Sequence, residues 1–225
     1  LGGDGGDELF GGYKHYSRLL WTERYLKAIP LIMRIPISKI ANYLPPGFKG
    51  KNWLQALSTN YNSGLPLIGS YFDHSLRKKL LGKRFCEYAE IYMKSRIPLT
   101  DDFLERLTQM DFENYMAEDI LVKVDRASML NSLELRAPFL DKHVIEFAYN
   151  KVPSSLKANQ HNRKIILKKL TERILPASFD KQRKQGFSVP LADWLKNGIW
   201  RDYAENILYD NECIFSASTI KMLFD

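Results

Sequence analysis

The sequence predicts a mostly α-helical chain. Apolar residues recur at every third or fourth position through most of its length, as they do on one face of a helix. Acidic or hydroxyl residues that can cap a helix precede several of these stretches, and glycine or proline follows them. We find no convincing run of alternating apolar and polar residues and no internal repeat.

The helices are predicted in chain order from these signals. The first stretch follows a glycine-rich opening and places four apolar side chains on one face: Leu9, Tyr13, Tyr16 and Leu20. Prolines and glycines then break the chain into short pieces up to Gly50. Further helices are predicted over residues 53–61, from the cap Asp73 to Leu80 with Gly82 as the stop, after Thr100 with Asp101 and Asp102 as start signals, from Ile120 to a point before Pro138, after the cap Asp141, from about Asn162 to Leu175, over 191–196, over 200–208 and after Ser216.

Length and composition favour one globular domain over residues 1–225. Hydrophobic residues make up 45% of the chain and charged residues 26%, so it can bury a core and is a poor candidate for disorder. There is no signal peptide and no apolar run of the ~20 residues that a membrane span needs, so we expect a cytoplasmic protein without a membrane partner. Cys86 and Cys213 match no metal or redox spacing and are expected to be buried or half-buried thiols.

A net charge of +7 is compatible with two kinds of partner. It could serve nucleic acid or phosphate-bearing small molecules. The basic residues are scattered among acids, and we see no recognition motif and no stripe of basic and aromatic residues. We therefore expect solvated helix faces and no nucleic-acid partner.

The two ends indicate a piece of a longer protein. The chain begins at Leu1, not at Met, and enters a glycine-rich loop at once. It stops at Asp225, soon after a new helix begins near Ser216.

The glycine-rich opening, residues 2–13, is the most unusual stretch. Its glycines allow positive φ and close approach of a ligand, and backbone N–H groups at a helix start can bind an anion. The loop holds Asp4 and Asp7 but no lysine, which makes chemical sense if Mg²⁺ lies between the acids and a phosphate. A flexible turn in which Asp7 caps a helix is an equally good interpretation at this point.

Two later stretches carry charged residues that could serve a ligand. On a helix, Asp119 and Lys123 share a face while Asp125 points elsewhere, and physical reasoning alone favours structural ion pairing there. Lys184 lies in a basic loop over residues 181–190 and could clamp a phosphate, with Lys164 upstream on its own helix. An exposed basic loop without a ligand is the plainer interpretation.

The order of the motifs resembles the synthetase domain of the glutamine-hydrolysing asparagine synthetases. That family has a strand end of the form Ser-Gly-(Asp/Glu)-Gly-x-Asp-Glu-x-Phe-Gly-Gly-Tyr, then Asp-x-x-x-Lys-x-Asp-Arg and Glu-x-Arg-x-Pro-Phe-Leu-Asp, and finally Lys-Gln-Gly-Phe-x-x-Pro. All four occur here in order, from Gly3 to about Trp194. The resemblance implies the helical C-terminal part of an ATP-pyrophosphatase-type α/β synthetase domain. Its parallel sheet and phosphate loop, and the glutaminase domain, would lie upstream of Leu1.

The resemblance also implies an activity. Family members bind ATP and Mg²⁺, join AMP to a substrate carboxylate and release pyrophosphate. Ammonia from glutamine then attacks the acyl-adenylate. Aspartate is the default acid, so the expected partners are aspartate, ATP and ammonia, acting through the full-length enzyme, and a homodimer stays open. The fragment alone is expected to be inactive.

By the same resemblance, individual residues acquire roles. Asp4 falls where a carboxylate lies near the activated substrate and the attacking nitrogen, and Asp7 where an acid holds Mg²⁺–pyrophosphate. Lys184 matches a phosphate-contacting lysine, Lys164 a second basic residue near phosphate, and Asp125 an acid on the substrate side. The cofactor-binding set is then Gly3, Gly5, Gly6, Lys164 and Lys184; Arg126, Glu134 and Arg136 are interpreted as scaffold ion pairs.

Two positions depart from the family pattern, and two alternative functions stay open. Gly2 stands where Ser is usual, and Leu135 is larger than the common Ala.

A β-lactam synthetase or another amide ligase of the same superfamily would use similar residues. A non-catalytic helical interaction module is the alternative of a different class.

Overall fold

The chain is described by a computed structural model over residues 1–45, 48–66, 72–176, 178, 189–210 and 212–224, without the side chains of residues 88–90. These residues are mostly helical, as predicted, and over this part of the chain there is no β-strand, only an isolated antiparallel bridge between Ala158 and Arg163. None of the described helices combines the length and the apolar character that a membrane span requires. The α-helices are α1 (Gly6–Phe10), α2 (Lys14–Leu26), α3 (Leu31–Ala41), α4 (Lys51–Gln55), α5 (His74–Leu81), α6 (Tyr88–Ser95), α7 (Phe103–Met110), α8 (Leu121–Met129), α9 (Lys142–Asn150), α10 (Ser154–Lys157), α11 (Ile165–Ile174), α12 (Leu191–Trp194), α13 (Ile199–Leu208) and α14 (Ala217–Phe224).

The chain divides into two compact units. The first comprises Leu1–Ile35, Leu57–Pro66 and Tyr92–Lys181, and the second Pro36–Ala56, Leu67–Ile91 and Gln182–Asp225. The glycine-rich opening belongs to the first unit. Whether the two units are portions of one synthetase domain stays a prediction.

The core of the first unit forms around the short helix α1. Leu9 is fully buried and Phe10 is 4% exposed, and both pack with Ala148 and Val152 of the segment around α9. Burial of apolar side chains is the main favourable term in folding, so this core fixes the opening loop to the unit. Partly buried apolar residues surround it: Phe112, Phe139, Val144, Ile145, Tyr149, Leu156, Ile166 and Leu167.

Several helix starts follow the predicted capping. The side chains of Asp73, Asp102 and Asp141 accept hydrogen bonds from the backbone N–H of Leu76, Glu105 and His143. Each bond satisfies a donor that the helix leaves unpaired in its first turn. Gly82, the predicted stop of α5, follows the helix with a positive φ.

The prediction of one continuous helical face from Leu9 to Leu20 is wrong. Helix α1 ends at Phe10 because Gly11 adopts a left-handed conformation with φ 67°, and α2 begins only at Lys14. Leu9 and Tyr16 are both fully buried, but on different helices. A side chain at Gly11 would also meet the Cβ of Ala158 at 2.9 Å, so packing with a distant segment sets the break.

The predicted separate helices around residues 103–110 and 120–129 form one helical run. A π-helix over Asp111–Ile120 joins α7 to α8. The side-chain amide of Asn114 donates to the carbonyl oxygen of Met110 at 2.8 Å, the acceptor that an α-helix would give to the backbone N–H of Asn114. Such side-chain competition favours a local change of helix type.

Other boundaries differ from the sequence predictions for local reasons. Pro36 does not end α3; it is exposed, so water can satisfy the carbonyl that loses its helical donor. The helix predicted over 53–61 stops after the 3₁₀ turn Ala56–Ser58, and the Arg34 guanidinium donates to the carbonyl oxygens of Leu57 and Thr59, so the Leu57 carbonyl is bonded outside the helix. Cys86 is exposed, contrary to expectation, while Cys213 is half-buried.

Candidate functional site

The glycines of the opening loop differ in the reason for which each is glycine. Gly5 precedes α1 with φ 89°, and a side chain there would lie 2.6 Å from Leu140 Cδ2. Gly6 is buried, and a Cβ on it would lie 3.2 Å from the Phe139 ring. Packing alone therefore accounts for both glycines. Gly3 is exposed with open space where a side chain would be, so only its backbone is freely available to a ligand.

Asp7 and Lys164 meet at the centre of the site, 157 residues apart in sequence. The Lys164 Nζ lies 3.1 Å from Asp7 Oδ1, and the side chains are 31% and 23% exposed. A Cβ on Gly12 would overlap both Asp7 Oδ1 and Lys164 Cε, so the pair needs glycine at this position. The Gly12 N–H donates to the Asp7 carbonyl oxygen at 2.7 Å and caps the C-terminal end of α1.

Lys164 reaches Asp7 from an unusual backbone conformation. It lies immediately before α11, not inside a helix as predicted, and its φ of 52° is left-handed. For a residue other than glycine this conformation costs free energy and is found preferentially at functional sites. The neighbouring Arg163 donates to the Gly12 carbonyl oxygen at 3.4 Å, which keeps this segment beside the loop.

A tight turn presents Lys164. The side chain of Asn159 accepts from the backbone N–H of His161 and Asn162 at 2.9 and 2.7 Å, and its own N–H donates to the Asn162 carbonyl. Asparagine favours such turns because its side chain replaces a backbone acceptor. The Ser17 hydroxyl donates to the Asn159 carbonyl and fixes the turn to α2.

Asp4 is half-buried beside the segment that follows α8. The Gly2 N–H donates to the Arg136 carbonyl oxygen at 2.7 Å. A Cβ on Gly2 would lie 2.6 Å from Leu135 Cδ2 and 2.7 Å from Asp4 Oδ2. The two departures from the family pattern, Gly2 and Leu135, are therefore neighbours in space.

A polar cluster that the sequence did not single out lies beneath the loop. Glu8 is 2% exposed and accepts a hydrogen bond from the Tyr13 hydroxyl. Burial raises the pKa of Glu8 although this bond opposes the shift; burial and Glu8 together raise the pKa of Tyr13. Asp111 accepts from the Tyr16 hydroxyl at 2.7 Å and contacts His15 Nε2 at 2.9 Å.

Only one signal could have found this cluster. The signal is the pairing of an acid, Glu8, with a phenol, Tyr13, five residues later in the opening motif, on the two sides of the break after α1. Asp111 and His15 are 96 residues apart, so no local pattern connects them.

One predicted residue that the structure describes, Asp125, does not join this arrangement. Asp125 is exposed on α8, and its carboxylate forms no hydrogen bond or ion pair with any residue that the structure describes. Lys184 lies outside the described residues. Two of the predicted ion pairs form at the surface: Lys123 Nζ lies 3.6 Å from Asp119, and Arg136 contacts Glu134 at 2.6 Å. Arg126, also interpreted as part of the scaffold, is exposed and forms no ion pair with any residue that the structure describes.

The residues that the structure describes can contribute to a magnesium site but do not complete one. Over the described part of the chain, no three His, Cys, Asp or Glu side chains converge in a way that could hold a metal ion. In nucleotide sites, Mg²⁺ takes one or two carboxylates and receives its other ligands from phosphates and water. Asp7, partly exposed beside a lysine, suits such a shared site.

Comparisons with known proteins agree with the motifs. A family model described as asparagine synthase matches residues 1–225. The chain is 32% identical over 217 residues to asparagine synthetase (glutamine-hydrolyzing) 1 of Bacillus subtilis, covering 94% of this chain and 34% of the relative. It is 33% identical over 201 residues to asparagine synthetase (glutamine-hydrolyzing) 3 of the same organism, covering 80% and 31%. The chain spans about a third of the length of these relatives. No solved structure matches it.

Proposed function

Because this chain belongs to the asparagine synthase family, we propose that it is part of an ATP-dependent ligase that forms an amide from a carboxylic acid and ammonia. The acid is proposed to be aspartate and the ammonia to come from glutamine, which gives asparagine, AMP and pyrophosphate. The cytoplasm, where ATP and aspartate are available, is the proposed location.

The observation that carries the proposal is the contact between Asp7 and Lys164 on a glycine-built loop. Without a ligand, the amine and the carboxylate neutralise each other at 3.1 Å in a partly open place. Fixed cations stabilise the negative charge that develops on a leaving phosphate group. We infer that the Lys164 amine exchanges the Asp7 carboxylate for a phosphate oxygen of ATP and that Asp7 contributes a carboxylate ligand to Mg²⁺.

Each charged residue then has a defined task. In the first step a carboxylate oxygen of the acid bonds to the α-phosphorus of ATP, and the bond to pyrophosphate breaks. Lys164 and, by family resemblance, Lys184 bind the phosphate oxygens that gain charge. When bound, Mg²⁺ would neutralise further charge on the pyrophosphate.

Amide formation follows at the other end of the loop. The nitrogen of ammonia bonds to the acyl carbon, the bond from that carbon to AMP breaks, and the nitrogen loses a proton. Asp4 is half-buried in the same loop and can orient the ammonia or accept the proton. Asp125 is proposed to contact the substrate acid, on the resemblance alone.

The test is ATP–pyrophosphate exchange by the full-length protein with a panel of carboxylic acids. We expect exchange that depends on aspartate and on Mg²⁺. Exchange with a different acid would transfer the assignment to another amide ligase, such as a β-lactam synthetase. A folded protein that supports no exchange with any acid would contradict the proposal and favour a non-catalytic helical module.

A further inference from the structure

Gly2 and Leu135 are in contact beside Asp4, and burial in the core does not explain this contact. Leu135 is 37% exposed, so its side chain is not held there by full burial. Its Cδ2 lies 2.6 Å from the place of a Cβ on Gly2, and the Oδ2 of Asp4 lies 2.7 Å from the same place. One small volume is thus filled from one side by a methyl group and from the other by a carboxylate oxygen.

The backbone around this volume is fixed. The Gly2 N–H donates to the carbonyl oxygen of Arg136 at 2.7 Å. The 3₁₀ turn Pro138–Leu140 follows directly, and two of its side chains pack on Gly5 and Gly6. The segment that carries Leu135 therefore lies along the loop that carries Asp4, with contacts at both ends.

A missing side chain at Gly2 is required by space and not by backbone conformation. Gly2 does not have a positive φ, so its backbone conformation is compatible with alanine or serine. Any Cβ there would have to displace Leu135, Asp4 or both, because carbon atoms do not approach other atoms this closely.

We propose that Gly2 and Leu135 act together as positioning residues for the Asp4 carboxylate. The Leu135 methyl group limits the rotamers open to Asp4 and makes the wall beside it apolar, so the pair also contributes to the choice of substrate acid. The part about substrate rests on the proposed function. A carboxylate displaced by about 1 Å from its working position can lose about 100-fold in rate.

A double-mutant cycle in the full-length protein tests the pair. The variants are Gly2→Ala, Leu135→Ala and the double variant, with Leu133→Ala as control because Leu133 lies two residues away and is 60% exposed. Amide formation is followed to give kcat, and KM for the acid and for ATP.

We expect Gly2→Ala to lower kcat/KM for the acid by about 10-fold to 100-fold. KM for ATP stays unchanged, since Asp4 is assigned to the acyl end. The double variant should recover about 5-fold or more relative to Gly2→Ala, because Leu135→Ala removes one of the two groups that the new Cβ would meet and lets it move away from Asp4. Three results would overturn the proposal. The fold losses of the two single variants could simply multiply in the double variant, or Leu133→Ala could behave like Leu135→Ala. An equal change of KM for both substrates would be the third.

Thermal unfolding of the same variants separates this proposal from the proposed function. If the wild-type protein forms no amide with any acid, the proposed function fails. The unfolding midpoints alone then show whether Gly2 and Leu135 share one volume. A double variant with a higher midpoint than Gly2→Ala then supports the shared volume. Midpoint losses that add up would overturn it.

Discussion

Two lysine–aspartate pairs, one in each unit, show how differently the same two charges are used. In the second unit Lys51 and Asp73 lie 2.8 Å apart with side chains only 6% and 11% exposed. In the first unit Lys164 and Asp7 lie 3.1 Å apart but are 31% and 23% exposed. Asp73 also caps α5 and accepts from the Ser75 hydroxyl, so its pair is part of a helix start. Lys164 instead holds a left-handed backbone to reach its partner.

The difference separates a structural ion pair from one that a ligand can open. A buried pair with additional hydrogen bonds is costly to break, because the remaining charge stays without a partner away from water. A pair that is a quarter to a third exposed contributes little stability, since water solvates both partners when they separate. Backbone strain at such a pair is a cost that folding alone does not require.

The largest effect is expected when the buried pair loses one partner. Lys51→Ala should lower the free energy of unfolding of the full-length protein by about 3–5 kcal/mol, because Asp73 is left as an uncompensated charge. Chemical unfolding measures this change. Exchange activity per folded molecule should stay close to that of the wild type; a stable variant with lost activity would reverse the roles assigned to the two pairs.

Lys184 extends the comparison to a lysine proposed to act only on the ligand. Lys184→Ala should lower the ATP–pyrophosphate exchange rate by about 10²–10³, the loss expected when one charge-stabilising donor is removed. The unfolding midpoint should stay unchanged. Near-normal exchange in this variant would remove Lys184 from the mechanism.

The glycine behind the open pair provides a steric test. Gly12→Ala places a Cβ into the space of Asp7 Oδ1 and Lys164 Cε and should separate the pair. We expect exchange to fall by about 10-fold to 100-fold. Lys14→Ala is the control, because Lys14 is exposed at the start of α2, two residues after Gly12, and has no assigned role. Equal losses in both variants would mean that this part of the chain is sensitive to any substitution.

The smallest effect is a pH dependence in the second unit. Burial opposes ionisation of Asp73, but hydrogen bonds from Lys51, Ser75 and the Leu76 N–H outweigh it and lower its pKa from 3.8 to about 2. The stabilisation is fully present above pH 3.8 and is lost as the pH falls through about 2.

We expect this contribution to be on the order of 1–2 kcal/mol. Unfolding midpoints of the wild type and Asp73→Asn, measured as the pH is lowered through this window, report it. The asparagine variant keeps a capping side chain and should lack this part of the pH dependence. Parallel curves for the two proteins would contradict the assignment.

Local sequence predicted the parts of the fold that depend on neighbours in the chain. Capping by Asp73, Asp102 and Asp141 is confirmed, because a cap needs only a side-chain oxygen and the N–H groups two or three residues later. The break at Gly11 was not predicted, since it depends on contact with Ala158. The π-helix was missed for a similar reason: periodicity shows apolar faces and not the side-chain bond from Asn114.

The candidate site also has one part that the sequence predicts and one part that only the folded structure shows. The opening motif marked Asp4 and Asp7, and family resemblance marked Lys164. Only folding shows that Lys164 contacts Asp7, because 157 residues separate them and a turn held by Asn159 brings them together. The buried bond between Tyr13 and Glu8 was not predicted, since the motif does not show which polar side chains turn inward.

Exchange activity of Lys164→Ala, compared with its stability, tests the central claim most directly. Aspartate-dependent ATP–pyrophosphate exchange and the unfolding midpoint are measured for the wild type and the variant of the full-length protein. We predict that exchange falls by about 10²-fold or more while the free energy of unfolding changes by no more than about 1 kcal/mol. A variant that loses stability but keeps its exchange rate would show that Lys164 and Asp7 form a structural pair, and would contradict the account.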